Sequence, residues 1–187
     1  MREEIEKAVA VLKRGGIILY PTDTVWGVGC DATNDQAVAR IYELKRSVDK
    51  HAMTMLVATV DDVGRYVKRV PEVTWQLLEV ASGPLTLILP GGVGVSQGLI
   101  PESGTVGIRV PDHEFCHALL RRLGRPLVST SANLSGEPTP LTFNEIPAVI
   151  RNGVDLVVSK KFEGNPTRRP SSIISLGPGG EVRIIRE

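Results

Sequence analysis

The amino-acid sequence predicts a single-domain α/β protein with a twisted, open, mixed sheet and helices on its faces. Two patterns support this prediction. Amphipathic helical segments alternate with short apolar strand segments early in the chain, and strand segments cluster late. The late cluster is typical of a mixed sheet rather than a purely parallel one. The 187 residues match one ordinary domain, and they contain no internal repeat or interdomain linker.

Helical periodicity and end signals define the predicted helices. Gly15 and Gly16 end the first one, Asn34 or Asp35 caps the second, and Asp61 caps the third. Pro71 opens the fourth helix. We expect Val73, Leu77 and Val80 to face inward from the fourth helix, and Phe115, Leu119, Leu120 and Leu123 from the fifth. The predicted helices cover residues 2–14, 36–45, 61–67, 71–80, 112–123 and 143–151.

Short apolar runs bounded by glycine, proline or polar residues define the predicted strands. Gly27 and Gly29 loosen the second strand and allow another chain or a ligand to approach its backbone. Residues 160–170 form the segment that we expect to be most mobile. The predicted strands cover residues 17–20, 25–30, 53–58, 84–90, 105–110, 126–133, 155–159, 171–176 and 181–186.

The composition limits the classes of function. Hydrophobic residues make up 42% of the chain and charged residues 23%, which excludes a mainly disordered protein. The net charge of +1 provides no global attraction to nucleic acid or membranes. Cys30 and Cys116 have no metal-site spacing, so we interpret them as reduced thiols. No signal peptide and no apolar run of about 20 residues is present, so we expect a cytoplasmic protein without a membrane partner.

Two polar stretches follow early elements of the chain. Thr22 and Thr24 flank Asp23 at the end of the first strand, where short side chains can bind a small ligand with little entropy loss. A tight turn with satisfied hydroxyl groups explains them equally well. Residues 44–51 carry Lys45, Arg46, Lys50 and His51. They can bind a phosphate or a carboxylate, but cations also suit the C-terminal end of a helix.

Two further stretches occur in the second half. Arg109 lies among apolar strand residues, where its charge needs either an internal carboxylate or an anionic ligand. STSANLSG, residues 129–136, follows a buried strand and can form a cradle of donors for an anion. It is neither a Walker A loop nor a GxGxxG motif. His51, His113 and His117 have neither the arrangement of a catalytic triad nor that of a zinc site.

Five motifs occur in one order: PTDTVWG, the basic stretch after Leu44, GPLTLILP, TVGIRVP and STSANLSGEP. This series resembles the YrdC-like family of threonylcarbamoyl-AMP synthases over roughly residues 5–186. The resemblance implies a twisted open sheet around a concave, basic cavity. We expect the short form of the family, a single domain over residues 1–187 without the C-terminal domain of the longer form.

The resemblance also implies an activity. Members of the family condense L-threonine, bicarbonate or CO2, and ATP to threonylcarbamoyl-AMP and pyrophosphate. A separate complex then modifies the adenosine beside the anticodon to N6-threonylcarbamoyladenosine. We therefore expect a nucleotidyltransferase with ATP as substrate. Mg²⁺ would be held mainly by ATP, with no tightly bound protein metal, and tRNA or a tRNA-modification complex would be a further partner.

The family pattern assigns roles to particular residues of this chain. Lys45 and Arg46 would be catalytic, because they would neutralise charge on the phosphates. The expected threonine-binding residues are Thr24, Arg109, Ser129 and Ser172. The expected ATP-binding residues are Lys45, Ser47, His51, Thr105, Ser131, Asn133, Thr139 and Arg186.

One motif departs from the family pattern. The family has Lys-x-Arg, whereas this chain has Lys45-Arg46-Ser47, which shifts the arginine by one residue. On a helix that shift turns a side chain by about 100°, although Arg46 can still reach the phosphates if the helix ends before it. The departure leaves a paralogue with a different substrate as one alternative, and the basic residues leave an RNA-binding module without catalysis as another. The second would use the basic residues of 45–50, 65–69, 121–125 and 168–169, but aromatic residues make up only 4% of the chain.

Overall fold

The computed structural model describes residues 1–47 and 53–187. Within these residues the helices are α1 (Arg2–Lys13), α2 (Asp35–Lys45), α3 (Val73–Val80), α4 (Glu114–Leu123) and α5 (Ala148–Gly153). The strands are β1 (Ile18–Tyr20), β2 (Gly27–Gly29), β3 (Thr54–Leu56), β4 (Leu85–Pro90), β5 (Thr105–Arg109), β6 (Leu127–Ser131), β7 (Leu156–Val157), β8 (Ser172–Leu176) and β9 (Val182–Arg186). Short 3₁₀ turns lie at Val60–Arg65, Gln97–Leu99, Phe143–Glu145 and Lys160–Phe162.

The described strands form one sheet in the order β7-β1-β2-β6-β3-β5-β4-β8-β9. The pairs β1/β7, β3/β5 and β4/β8 are parallel, and the other neighbouring pairs are antiparallel. β7 and β9 are the two edges, so the sheet is not closed into a barrel. The structure thereby confirms the predicted α/β class with a mixed, open sheet.

Apolar side chains cover both faces of the sheet. Along β1 and the residue before it, Ile17 and Leu19 belong to one buried cluster, whereas Ile18 and Tyr20 belong to the other. The first cluster is closed by α2, α3 and α5, and the second by α1 and α4. Burial on both faces explains why this strand reads as an uninterrupted apolar run rather than as an alternating one.

Most predicted helices are confirmed, and their ends show why. α1, α2 and α4 lie within one or two residues of their predicted bounds. The Asn34 side chain caps α2 by accepting a hydrogen bond from Ala37 N at 3.0 Å. The four residues expected inside α4 are all buried. None of the described helices is both long and apolar enough to cross a membrane.

Three local predictions are wrong. The 3₁₀ turn after β3 is capped by Thr59, whose side chain forms a reciprocal capping box with Asp62, and not by Asp61. Val80 is 73% exposed because it is the last residue of the short helix α3. The helix predicted over 143–151 is split into a 3₁₀ turn and α5, with Pro147 as the cap of α5.

Candidate active site

A cavity of about 770 Å³ opens between the turn after β1 and strands β2, β4, β5, β6, β8 and β9. Its charged lining residues among those described are Glu102, Arg109 and Arg186. The apolar part of the lining includes Trp26, Met53, Leu99, Ile173 and Ile185. Most of the polar lining carries hydroxyl groups, from Thr22, Thr24, Thr54, Thr86, Ser103, Thr105, Ser129, Thr130, Ser131, Thr139 and Ser171.

Arg109 is held at one end of this cavity by an internal carboxylate. Its Nη1 donates to Asp23 Oδ1 at 2.6 Å, and both side chains are buried. The second oxygen of Asp23 accepts a hydrogen bond from Asp112 N at 3.1 Å, and Arg109 Nη2 lies 3.4 Å from Thr24 Oγ1. The sequence left an internal partner and a ligand as alternatives for Arg109. It has the partner Asp23, and it also lines the cavity.

The turn after β1 is joined to the segment 160–170 by its backbone. Thr167 N donates to Asp23 O at 2.8 Å, and Arg168 N donates to Thr24 O at 3.0 Å. The indole of Trp26 donates to Glu163 Oε1 at 2.7 Å. Backbone and side-chain bonds therefore connect this segment to the Arg109 end of the cavity, and its mobility stays a prediction.

The next wall of the cavity is formed where strands of the sheet approach one another closely. β2 pairs with both β1 and β6, and a Cβ atom at Gly29 would collide with Val128 O. The backbone approach expected at this glycine is thus made by a strand of the protein itself. Ser129 and Ser131 of β6, the strand that packs against β2, line the cavity.

The far wall is built by β4, β8 and β9. Thr86 and the residue before β8, Ser171, are buried and share a hydrogen bond of 2.7 Å between their hydroxyl oxygens. Arg186 donates two hydrogen bonds to Ser171 O, at 2.9 and 2.7 Å. Burial lowers the pKa of the Arg186 guanidinium below its usual value, although an arginine keeps its charge at neutral pH.

Lys45 ends α2 behind the STSANLSG segment. Its Nζ donates to Ser131 O and to Asn133 O, and Lys45 O accepts from Ser135 N at 2.9 Å. Burial lowers the pKa of Lys45 from its usual 10.5 to about 8. These three bonds hold the segment against the end of α2, although the residues that they join are at least 86 residues apart in sequence.

Asn133 is a second anchor of the same segment. Its Nδ2 donates to Leu134 O at 3.0 Å and to Glu137 O at 2.8 Å. Its Oδ1 is buried and has no hydrogen-bond partner among the described residues. A buried acceptor without a donor is costly, so this oxygen is an energetic weakness of the segment.

The residues expected to bind substrates fall into three groups. Those that line the cavity are Thr24, Thr105, Arg109, Ser129, Ser131, Thr139 and Arg186. Those that the structure describes but that are not among its lining residues are Lys45, Arg46, Ser47, Asn133 and Ser172. His51 lies outside the described residues. The roles of all these residues stay predictions.

Two positions show what the sequence could and could not provide. Ser171 and Ile173 line the cavity whereas Ser172 does not, because neighbouring side chains of an extended chain point to opposite faces. The period-two pattern of a strand predicts such an alternation, but PSSIIS does not show which of the two serines faces the cavity.

α2 ends at Lys45, and Arg46 is an exposed C-cap residue with φ of 52°. The condition under which Arg46 could still reach a phosphate is therefore met.

The donor set of the cavity bears on metal binding. In the part of the chain that the structure describes, no group of three or more histidine, cysteine or acidic side chains could hold a metal ion. Glu102 is the one carboxylate among the described lining residues, and it is exposed. This donor set fits an ion that arrives with a phosphate ligand rather than one held in a protein cage.

Comparisons with known proteins place the chain among its relatives. The Sua5/YciO/YrdC family model, described as "Telomere recombination", matches residues 10–187. A threonylcarbamoyl-AMP synthase of Vibrio cholerae is 33% identical over 165 residues, which cover 87% of this chain and 88% of that protein.

Solved structures give the same result. P. abyssi Sua5 complexed with L-threonine is 28% identical, with a TM-score of 0.85 over 97% of this chain, and the chain spans only about half (53%) of that protein. E. coli YciO is 29% identical, with a TM-score of 0.83 over all of this chain and 90% of its own. The family match and the Vibrio cholerae relative each cover most of the sequence. The chain belongs to the Sua5/YciO/YrdC family.

Proposed function

We propose that this protein is an L-threonylcarbamoyladenylate synthase. It would condense L-threonine, bicarbonate or CO2, and ATP to threonylcarbamoyl-AMP and pyrophosphate, for N6-threonylcarbamoyladenosine in tRNA. The observation that carries the proposal is the buried Arg109, fixed by Asp23 beside Thr24 at one end of a cavity large enough for two substrates. The Vibrio cholerae relative with this activity and the threonine complex of P. abyssi Sua5 support the same assignment.

The Arg109 end suits an amino acid. A guanidinium with N–H groups beyond its bond to Asp23 can bind a carboxylate. Thr24 contacts Arg109, Ser129 lines the same cavity, and both would offer hydroxyl groups to the amine and hydroxyl of threonine. Ser171 would close the same pocket from the far wall, in place of the expected Ser172.

The other end suits a nucleotide. We assign to the nucleotide the expected ATP-binding residues that line the cavity, which are Thr105, Ser131, Thr139 and Arg186. Arg186 would contact the phosphates, and Arg46 and Ser47 lie at the end of α2. Lys45 would act here chiefly by holding the STSANLSG segment in place, since its ammonium group already donates to two carbonyl oxygens of that segment.

The reaction needs no protein nucleophile. The threonine amine forms a bond to the carbon of CO2 while one C=O electron pair moves to its oxygen, and the nitrogen loses a proton to water, which gives a carbamate. A carbamate oxygen then forms a bond to the α-phosphorus of ATP. The bond from that phosphorus to the bridging oxygen breaks, and pyrophosphate leaves with the electron pair. The protein contributes by positioning the two substrates and by neutralising the charge on the phosphates.

Mg²⁺ belongs to this proposal as an ion carried by ATP. It would offset the charge of the leaving pyrophosphate. Because Glu102 is the one carboxylate among the described lining residues, the phosphates and water would provide most of its ligands. Bicarbonate as the source of CO2, and a tRNA-modifying complex as the recipient of the product, are parts of the same proposal.

The experiment is a pyrophosphate-release assay with ATP, Mg²⁺ and bicarbonate. We expect release to depend on L-threonine, with L-serine as the control that lacks the methyl group. Release that is equally fast without any amino acid would contradict the proposal. Release that prefers another amino acid would favour the paralogue with a different substrate, which the Lys45-Arg46-Ser47 departure motivates.

Ion pairs of the surface arginines argue against an RNA-binding module. Of the basic residues that such a module would use, Arg65 pairs with Asp62, Arg122 with Glu6 and Arg125 with Asp31, at 3.0, 2.7 and 2.7 Å. A cation beside a carboxylate adds less to the positive surface potential that would attract a phosphate backbone.

A further inference from the structure

The hydroxyl of Thr22 is saturated by three contacts within the turn after β1. It lies 2.7 Å from Val25 O, it accepts a hydrogen bond from Thr24 N at 3.1 Å, and it lies 2.9 Å from Thr24 Oγ1. Thr22 is buried, and both threonines line the cavity. These contacts determine the direction of each hydrogen bond.

A hydroxyl group has one hydrogen to donate and two lone pairs that accept. Val25 O is a carbonyl oxygen and can only accept, so the hydrogen of Thr22 is used there. The hydrogen between the two threonine oxygens therefore belongs to Thr24, which donates to Thr22. The hydroxyl hydrogen of Thr24 is thus turned away from any ligand.

What Thr24 presents to the cavity follows from this direction. One lone pair of its oxygen faces Arg109 Nη2 at 3.4 Å, and the other remains for a ligand. Arg109 can only donate. The two side chains together present one acceptor beside one cationic donor, which is complementary to the amine and the carboxylate of an amino acid.

We propose that Thr22 is a positioning residue for the amino-acid substrate. It orients the Thr24 hydroxyl so that Thr24 accepts an N–H from the substrate amine. This proposal rests on the proposed function, because it assumes that the Arg109 end binds an amino acid. Without the Thr22 hydroxyl, Thr24 could turn its own hydrogen towards the substrate amine. That hydrogen would bind the nitrogen lone pair that must attack CO2.

The test uses Thr22→Val, which keeps the shape but removes the hydroxyl, and Thr22→Ser, which restores the hydroxyl. Dissociation constants are measured by calorimetry for L-threonine and for 3-hydroxybutanoate, which has the same carbon chain and carboxylate but no amine. We expect Thr22→Val to weaken threonine binding about tenfold and to change 3-hydroxybutanoate binding less than twofold. Thr22→Ser should bind threonine within about twofold of the wild type.

The second ligand separates this role from a merely structural one. If Thr22→Val only distorted the turn, the bond between Arg109 and the carboxylate would weaken for both ligands alike. Equal losses for the two ligands, or no loss for threonine, would overturn this proposal alone. No binding of threonine to the wild type would overturn the proposed function and this proposal with it. If Thr22→Val does not fold, Thr22→Ala provides the same comparison.

Discussion

The two ends of the cavity are built in different ways. At the Arg109 end, side chains from β5 and from the turn after β1 are held by internal hydrogen bonds, and Asp23 is fixed by a side chain and a backbone amide. At the nucleotide end, the STSANLSG segment is fastened from behind by Lys45 and Asn133, and one buried acceptor has no partner among the described residues. Internal bonds thus satisfy the polar groups described at the Arg109 end, whereas a buried acceptor at the other end is left unpaired by the described residues.

This difference has a physical basis. A small zwitterion provides little surface, so a site that binds it cannot also pay a large ordering cost. A nucleotide provides many more contacts, which can offset a larger ordering cost at its site. The comparison predicts that substitutions at the Arg109 end affect both stability and threonine binding. Among effects on ligand binding, substitutions at the nucleotide end should change mainly the KM for ATP.

The largest effect is expected from Arg109→Ala. It leaves the buried Asp23 carboxylate without its charge partner, which should lower the free energy of unfolding by about 3–5 kcal/mol. Threonine-dependent turnover should fall at least about a hundredfold, as the carboxylate clamp is lost. Urea unfolding and pyrophosphate release measure the two effects.

The matched control is the double variant Arg109→Ala/Asp23→Asn. It should recover much of the lost stability but none of the activity, because the unpaired charge is removed while the clamp stays absent. If the single and double variants unfolded at the same urea concentration, the ion pair would not have the stabilising role assigned to it.

The next effect concerns Lys45 and depends on pH. Its pKa is about 8 when folded and 10.5 ordinarily, so between these values the unfolded chain binds more protons at this group. The Lys45 contribution to the free energy of unfolding, taken as the difference between the wild type and Lys45→Met, should therefore rise with pH across this window by up to about 3 kcal/mol. Lys45→Met should lack this contribution, whereas the control variant Lys13→Met, at an exposed lysine, should retain it. If the free energy of unfolding depended on pH in the same way in the wild type and in Lys45→Met, the lowered pKa of Lys45 would be wrong.

A smaller and more selective effect is expected from Asn133→Ala. The variant removes two donors that hold the carbonyl groups of Leu134 and Glu137. The KM for ATP should rise about tenfold, while the KM for threonine stays nearly unchanged. Asn144→Ala, at an exposed residue that contacts Lys160, serves as the control. Equal changes in both KM values would mean that the two ends are not independent.

The smallest effect distinguishes two neighbouring serines. Ser171→Ala should raise the KM for threonine about threefold to tenfold, because it removes a hydroxyl from the cavity wall. Ser172→Ala should have an effect within about twofold. Steady-state kinetics on the two variants compare them directly. The reverse ranking would restore the role that the sequence assigned to Ser172.

The sequence predicted the elements better than the contacts between them. Helices with an apolar stripe and clear end signals, such as α1 and α4, were predicted almost to the residue. The prediction that Val80 is buried was wrong, because helical spacing shows which face is apolar but not whether another element covers it. The order of strands in the sheet depends on pairing between distant residues, which local patterns do not contain.

The site followed the same rule. Hydroxyl and basic clusters indicated Thr24, Arg109 and the STSANLSG segment, all of which lie in or around the cavity. The sequence could not show that Asp23 is the partner of Arg109, because the two are 86 residues apart. Nor could it show that the Lys45 ammonium faces two carbonyl oxygens, since that depends on how α2 meets a distant loop.

The central claim is that one molecule is assembled across the two ends of the cavity. The most direct measurement is mass spectrometry of the products formed from ATP, L-threonine and ¹³C-bicarbonate. We expect a single species that contains AMP, threonine and one labelled carbon, in amounts equal to the pyrophosphate released. Pyrophosphate release without any adenylate that contains both threonine and the label would contradict the account.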